Sequence, residues 1–340
     1  MISTFTDVQP TLDNYWRSII LFGKNTACYK FALAQSLLEF ADQQSTQISK
    51  DVLAEKYALH ICNHLKSSNT QGTNPSNNYL ATCSDFNAGV IDKDKLVNIT
   101  KKEGFRYVIE RFHNVNGGDL PVKFYSGDKN SKEIVLSDEI MKLSSLGQFK
   151  SLVGEVDSRW SLVEAGWRMK INNRLLRVHY DVEQRSFYET DLLKRTNLTS
   201  ARSALNGYQK GHCFYCYDAI DIQSESDHLA EVDHFIPHKL KGYLANTNLD
   251  GVWNLVLSCQ SCNRGQGGKL AKIPKAYLLE RLHKRNSFLI NSHHPLRETL
   301  IAQTGTSNSA RVSFLRDTYG TACFNLIQTW EPEQIGSPLF

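Results

Sequence analysis

Apolar positions at helical spacing open the chain. Leu12, Tyr15, Trp16, Ile19, Ile20 and Phe22 recur at three- and four-residue intervals behind a capping Thr11, and Tyr29, Phe31, Leu33, Ala34, Leu37, Leu38 and Phe40 resume the pattern after Gly23. The spacing predicts helices over 11–41, broken at Gly23. Leu53, Tyr57, Ile61 and Leu65 predict a third helix from Asp51 to Leu65, followed by a polar loop from Ser67 to Asn78. Further helical patterns fall near Lys95–Phe112 and Gln148–Trp167, and the stretch VKFYSGDKNSKEIVL between them reads as a hairpin with a polar turn. Ser200–Gln209 predicts a short helix. In EVDHFIPH, Val232, Phe235 and Ile236 read as a strand stopped by Pro237. Trp253, Leu255 and Leu257 alternate with Asn254, Val256 and Ser258 as in a second strand, and Cys262, Asn263 and Arg264 should begin a short helix that Gly265, Gly267 and Gly268 end. Pro274 is expected as the first position of a helix running towards Phe288, and helical patterns near Leu296–Thr304 and Ala310–Tyr319 close the chain. No internal repeat or low-complexity tract interrupts this order. The expected class is α+β: a mostly helical N-terminal domain over 1–199, a domain with two strands over 200–290, and a short helical region over 291–340.

Composition narrows the partners only a little. The chain is 41% hydrophobic and 22% charged, ordinary for a soluble globular protein, and its net charge of +4 permits a nucleic-acid partner without demanding one. From Ala201 to Ile290, eleven Lys and Arg stand against eight Asp and Glu, a balance that implies weak, salt-sensitive binding to phosphate. The segment from Asp92 to Arg111, DKDKLVNITKKEGFRYVIER, is basic on balance and holds aromatics; it reads either as a solvated helix face or as a surface tracking a phosphate backbone. The start MISTFTDVQPT lacks a basic stretch followed by an apolar one, and the longest apolar runs, such as Ile19 to Phe22, are far too short for a bilayer. The expectation is a cytoplasmic protein with no membrane partner.

Cysteine spacing changes the picture more. Of eight cysteines, Cys28, Cys62, Cys83 and Cys323 are scattered and read as small apolar residues. Cys213, Cys216, Cys259 and Cys262 form two CxxC pairs, which in a chain without an export signal point to a metal rather than to disulfides. Four thiolates make a closed tetrahedral site, the structural kind of Zn²⁺ site, with no open position for chemistry. Other histidine pairs are weaker signals. His60 and His64 lie four apart on a predicted helix, but a zinc protease needs Glu directly after the first His and Ile61 stands there; they read as solvent-facing, as do His293 and His294.

Between and beyond the knuckles lie EVDHFIPH and VWNLVLSCQSCNRGQGGK. The segment from Cys213 to about Lys269 resembles an HNH endonuclease domain, the ββα-metal nuclease fold, whose pattern runs CxxC, (E/D)-x-D-H-I-x-P, NL, and CxxCN or CxxCH followed by basic residues. The resemblance covers under a fifth of the chain. It implies that His234 is the general base activating water, that Asp233 and Asn263 bind a catalytic Mg²⁺ or Mn²⁺, that Asn254 braces the loop between the strands, and that Cys213, Cys216, Cys259 and Cys262 hold the structural zinc. Arg264, Lys269 and His238 would contact nucleic acid, although the RGQGG insertion displaces Lys269 from its usual place; His212 and His228 read as surface or phosphate-contacting residues. The chemistry is coherent, since a His titrating near neutrality can take a proton from water and carboxylate and amide oxygens suit a hard divalent cation. Successive strand residues point to opposite faces, so Asp233 and His234 share one site only if the strand twists, bulges or ends there.

The resulting expectation is a divalent-metal-dependent endonuclease acting on double-stranded DNA, in restriction or phage defence. One such site cuts one strand at a time, so a double-strand break implies a homodimer or two events. The alternatives are a non-catalytic zinc-containing nucleic-acid-binding module, or an effector subunit whose N-terminal domain senses a signal or engages a defence-system partner.

Overall fold

The computed structural model describes residues 11–22, 26–74, 77–115, 117–147, 149–168, 178–191, 194–222, 226–291 and 294–340, with the side chains of 22, 190–191 and 194–199 left aside. It is a mixed α and β chain of helices with small sheets, in two compact units spanning 10–171 and 172–340. The division between these units falls near 171, so the described residues from 178 to 199 and from 294 onward group with those that carry the CxxC pairs.

The first unit comprises α1 (Leu12–Phe22), α2 (Tyr29–Asp42), β1 (Gln47–Ser49), α3 (Lys50–Ser67), α4 (Asn78–Asn87), α5 (Lys93–Ile99), α6 (Val108–Arg111), β2 (Asn114–Val115), β3 (Gly118–Asp119), β4 (Tyr125–Ser126), β5 (Glu133–Leu136), α7 (Asp138–Ser144) and α8 (Phe149–Arg168). The helical spacing of the sequence is carried through. Leu53, Tyr57, Ile61 and Leu65 are all buried along α3, which starts where the Ser49 hydroxyl accepts from Val52 N at 3.3 Å. The expected hairpin is β4 with β5, and β1 joins it on the other side of β5. In the core, Trp16 packs edge-on against Phe124 at 5.2 Å, and the buried Arg17 makes a two-pronged pair with Glu155 at 2.7 and 2.9 Å. In the basic segment from Asp92 to Arg111, Lys93 pairs with Glu55 and Lys101 with Asp51, so two of its cations are engaged by acids of α3.

His60 and His64 are not solvent-facing, which corrects the expectation. The α3 face that carries them packs on other elements: His60 lies 3.3 Å from Glu39, and His64 stacks on Trp160 at 3.5 Å while its nitrogens meet Glu164 at 2.7 Å and Asp157 at 3.3 Å. Burial alone would lower the His64 pKa, but its hydrogen bonds to Asp157 and Glu164 outweigh that and raise it to about 9. Since the folded value lies above the ordinary 6.5, protonated His64 stabilises the fold fully below pH 6.5 and progressively less as pH rises through about 9. Urea melts of the wild type and His64→Gln should show an advantage of about 1–3 kcal/mol at pH 6 that is gone above pH 9. An advantage that holds constant across that range contradicts this.

The second unit comprises β6 (His179–Asp181), β7 (Ser186–Asp191), β8 (Lys194–Ser200), α9 (Ala201–Gln209), β9 (Glu231–His234), β10 (Leu255–Ser258), α10 (Gln260–Arg264), β11 (Ile273–Pro274), α11 (Ala276–Asn291), α12 (Arg297–Thr304), α13 (Asn308–Asn325) and β12 (Thr329–Trp330). β6, β7 and β8 form an antiparallel sheet within the region expected to be mostly helical, in a stretch where no element was predicted. β9 and β10 pair antiparallel with Asp233 opposite Val256 and His234 opposite Leu255. Trp253 is not in the strand: Val252–Asn254 forms a tight turn because Asn254 N bonds Gly251 O at 2.9 Å and the Trp253 indole bonds Asn248 O at 3.0 Å. A Cβ on Gly251 would lie 2.7 Å from that indole, so the turn needs a glycine there. Pro274 sits in β11, parallel to β12, and not at a helix start; the pairing bonds come from Ile273 N and Lys275 N on either side, so the missing N–H costs nothing. His294 is buried, and His293 lies outside the described residues. Among the described residues no helix is long and apolar enough to cross a membrane.

Candidate functional site

The two CxxC turns meet. One ligand atom from each of Cys213, Cys216, Cys259 and Cys262 lies within 4.8 Å of the others, and the sulfurs of Cys216 and Cys259 are 3.8 Å apart. Four thiolates at about 2.3 Å from a tetrahedral zinc would have sulfurs about 3.8 Å apart, so the cluster has the size such a metal needs. The turns also supply amide donors to sulfur: Tyr215 N to Cys213, Asp218 N to Cys216 and Cys262 N to Cys259, at 3.4, 3.5 and 3.4 Å. Hydrogen bonds from Cys213, Cys216 and Cys262 hold Cys259 far below the usual thiol range while Cys216 and Cys262 are pushed up. The four cysteines can thus hold a metal ion such as zinc. Of the other four, Cys28, Cys62 and Cys83 are buried as expected of small apolar residues, and Cys323 is half-buried.

The same knuckles anchor the strands. Phe214 N bonds Leu257 O at 2.9 Å, and the Gln209 side chain pairs with both polar groups of Leu257 at 2.8 Å. Arg285 of α11, itself buried, donates to the carbonyls of Val252, Trp253 and Leu255 and so fixes the turn entering β10. α10 ends at Gly265, as the sequence implied.

Asn254 is wholly buried with every polar atom used. Its Oδ1 accepts from Ile236 N at 2.8 Å, and its Nδ2 donates to Ile236 O at 3.0 Å and Leu249 O at 2.8 Å. It therefore ties the end of β9 to the loop before β10. Asn254→Ala leaves three buried backbone groups without these partners and should cost about 2–4 kcal/mol in urea unfolding. A loss near zero would show that the brace carries no load.

Asp233 and His234 point to different neighbours, as alternation along a strand requires. Asp233 is buried. Its carboxylate accepts the Tyr215 hydroxyl at 2.6 Å and the Lys269 ammonium at 3.1 Å. Lys269 also donates to His234 O at 2.9 Å and is wholly buried, which corrects the expectation that it touches nucleic acid. His234 Nε2 lies 3.0 Å from Asp250 Oδ1. The same Asp250 receives Lys241 at 3.2 Å and faces the exposed His238 at 3.4 Å. A carboxylate can only accept, so His234 carries its proton on Nε2 and keeps the lone pair on Nδ1. Burial outweighs the pull of Asp250 and lowers the His234 pKa, which favours the neutral base; burial would raise Asp250, but hydrogen bonds from Lys241 and His234 hold it below the usual carboxylate value.

Asn263 is held elsewhere. Its Nδ2 donates to Glu231 Oε2 at 2.7 Å, and Arg264 Nε reaches Glu231 Oε1 at 2.6 Å. The expected ligands of a catalytic divalent metal are thus engaged by separate partners, and the buried ammonium on Asp233 takes the position a cation would need. As arranged, these residues do not fit a second metal. His228 is exposed, and half-buried His212 donates from Nδ1 to Lys210 O at 2.8 Å.

Four residues at the site were not singled out from sequence. Asp250 sits in the polar TNLDG loop, where nothing but proximity to the second strand marks it. Tyr215 lies inside the first CxxC. Glu231 opens the EVDH motif itself, and Tyr180, whose ring lies 6.3 Å from that of His234, comes from β6. No model of a known family, no curated protein and no solved structure matches this chain.

Proposed function

We propose that this chain is an HNH-type endonuclease that hydrolyses phosphodiester bonds of nucleic acid, most simply DNA, with His234 as the general base. The observation that carries the reading is the His234–Asp250 pair at 3.0 Å on a strand braced by Asn254 and anchored to the four-cysteine cluster. Nδ1 of His234 takes a proton from water as the oxygen attacks phosphorus, Asp250 stabilises the imidazolium that results, and the P–O bond to the leaving group breaks as that oxygen takes up a proton from solvent. The four cysteines would hold zinc in a structural role. The family resemblance adds Mg²⁺ or Mn²⁺ on Asp233 and Asn263, which would require Lys269 and Glu231 to release them. Restriction or phage defence is the setting the resemblance implies, and a homodimer or defence-system partner would supply double-strand cleavage.

The Lys269 ammonium on Asp233 favours a second reading, a zinc-containing nucleic-acid-binding module without catalysis. Labelled single- and double-stranded DNA and RNA, incubated with Mg²⁺, with Mn²⁺ and with EDTA, separate the two. The nuclease reading expects metal-dependent cleavage of at least one substrate with the zinc retained. Binding without cleavage under every metal condition leaves the binding module.

A further inference from the structure

A cavity of about 340 Å³ opens against β9, the strand that carries His234. Arg185, Arg202, Arg264, Glu231, Val232 and Asn263 line it. Three guanidiniums therefore face one carboxylate, and that carboxylate is already engaged by Arg264 and Asn263. The remaining cations come from the small sheet: Arg185 from the turn between β6 and β7, Arg202 from the first turn of α9. Arg185 is exposed and held in the left-handed region at φ +50°, a conformation that costs a non-glycine residue free energy and is often kept at functional positions. Arg202 is half-buried, and its Nε is buried with no hydrogen-bond partner among the described residues. A buried guanidinium nitrogen facing a second arginine is costly unless an anion completes the set. Burial and the nearby Arg185 lower the Arg202 pKa against a smaller opposing pull from Glu231.

The cavity is also placed for the chemistry. Val232 in its wall and His234 share one face of β9. The Tyr180 ring lies 6.3 Å from that of His234, and Tyr180 is close enough to Arg185, Arg202 and Asp250 for their charges to act on its hydroxyl.

We propose that this cavity is a phosphate subsite that seats a backbone phosphodiester of the bound nucleic-acid strand, next to the one presented to His234, with Arg185 and Arg202 as its clamp. Guanidinium forks match phosphate oxygens two at a time, and the clamp would fix the register of the strand against the base without reading sequence. The inference rests on the reading that the ligand is nucleic acid, but not on cleavage.

The test is a binding assay on the full, zinc-loaded chain without added Mg²⁺ or Mn²⁺, where nothing is cut. Anisotropy of a short labelled duplex and a short labelled single strand is followed against salt for the wild type, Arg185→Ala, the Arg185→Ala/Arg202→Ala double variant, and Arg202→Lys, with zinc content and melting temperature checked for each. The double variant should bind about tenfold or more weakly at low salt, and its slope of log K against log salt should shrink by about two phosphate contacts. Arg185→Ala, at an exposed position, should lose about one contact with its melting temperature unchanged, and Arg202→Lys should recover part of the loss. Folded variants with wild-type affinity and slope overturn the proposal. So does a mononucleotide that competes as well per phosphate as the strand does, since it would assign the cavity to a free nucleotide. Loss of binding in the variants of a protein that never cleaves would leave this inference standing and remove the nuclease; wild-type cleavage and binding by the variants would do the reverse.

Discussion

Cys259→Ser should strip the metal and unfold the second unit. The two knuckles are more than forty residues apart in sequence, at 213–216 and 259–262, and their sulfurs come within 4.8 Å only because the chain between them, including β9, folds back. A metal that binds four thiolates at once therefore contributes its binding free energy to folding. In small zinc modules that contribution is about 10–16 kcal/mol at neutral pH, as large as or larger than the whole stability of a typical domain, about 5–15 kcal/mol. Cys259 is the most telling position, because its sulfur lies 3.8 Å from that of Cys216 and accepts the Cys262 amide, so it joins the two knuckles. Removing it leaves three sulfurs gathered around nothing. Elemental analysis should find about one zinc per wild-type chain and a strongly reduced content in the variant. Thermal or urea unfolding should show an early transition absent from the wild type. Undiminished stability in a variant with no zinc would mean that the four-cysteine cluster is only packing.

His234→Ala should abolish cleavage while leaving the fold intact. A positioned general base contributes about 10²–10⁴-fold in rate, and among the described residues no second histidine shares the His234 position. His238 is exposed and turned to the same Asp250, so it cannot take over without moving. Asp250→Asn keeps the shape of the partner but replaces an oxygen that accepts with a group that can also donate, so the imidazole tautomer is no longer enforced. Its activity should fall between wild type and His234→Ala. Single-turnover cleavage rates on one substrate order the three proteins, and an Asp250→Asn rate equal to wild type would remove Asp250 from the mechanism.

How much of this was legible in the sequence follows from local physics. The helices of the first unit were readable because Leu53, Tyr57, Ile61 and Leu65 keep one strict spacing on one buried face. The knuckles were readable because two CxxC pairs impose tight turns whatever surrounds them. β6, β7 and β8 were not. Their strand pattern is interrupted by a buried Glu189 beside the buried Phe187, so apolar and polar positions do not alternate. Pro274 misled because its fixed φ suits an edge strand as well as a first helical turn. In the site, the motif drew attention to Asp233, His234, Asn254 and Asn263, but not to the partners they meet. That Asp233 meets Tyr215 and Lys269, that His234 meets Asp250 and that Asn263 meets Glu231 are contacts between residues 16 to 36 positions apart, made by the register of β9 on β10 and the folding back of the glycine-rich loop. Alternation along a strand did predict that Asp233 and His234 would face different groups. It could not predict that a lysine would occupy the place a metal was expected to fill.

On the proposed reading, His234 is the base of a phosphodiester hydrolase. The most direct measurement is the conversion of supercoiled plasmid to nicked or linear form by the purified full chain, with Mg²⁺, with Mn²⁺ and with EDTA, beside His234→Ala and Asp233→Ala at equal zinc content. Metal-dependent nicking or linearisation by the wild type that His234→Ala loses by at least about a hundredfold is the expected result, and a parallel loss in Asp233→Ala would show that Lys269 gives up Asp233 to the metal. A wild-type protein that holds its zinc, binds the plasmid and leaves it intact with either metal, or a His234→Ala protein that cuts at the wild-type rate, would contradict that reading.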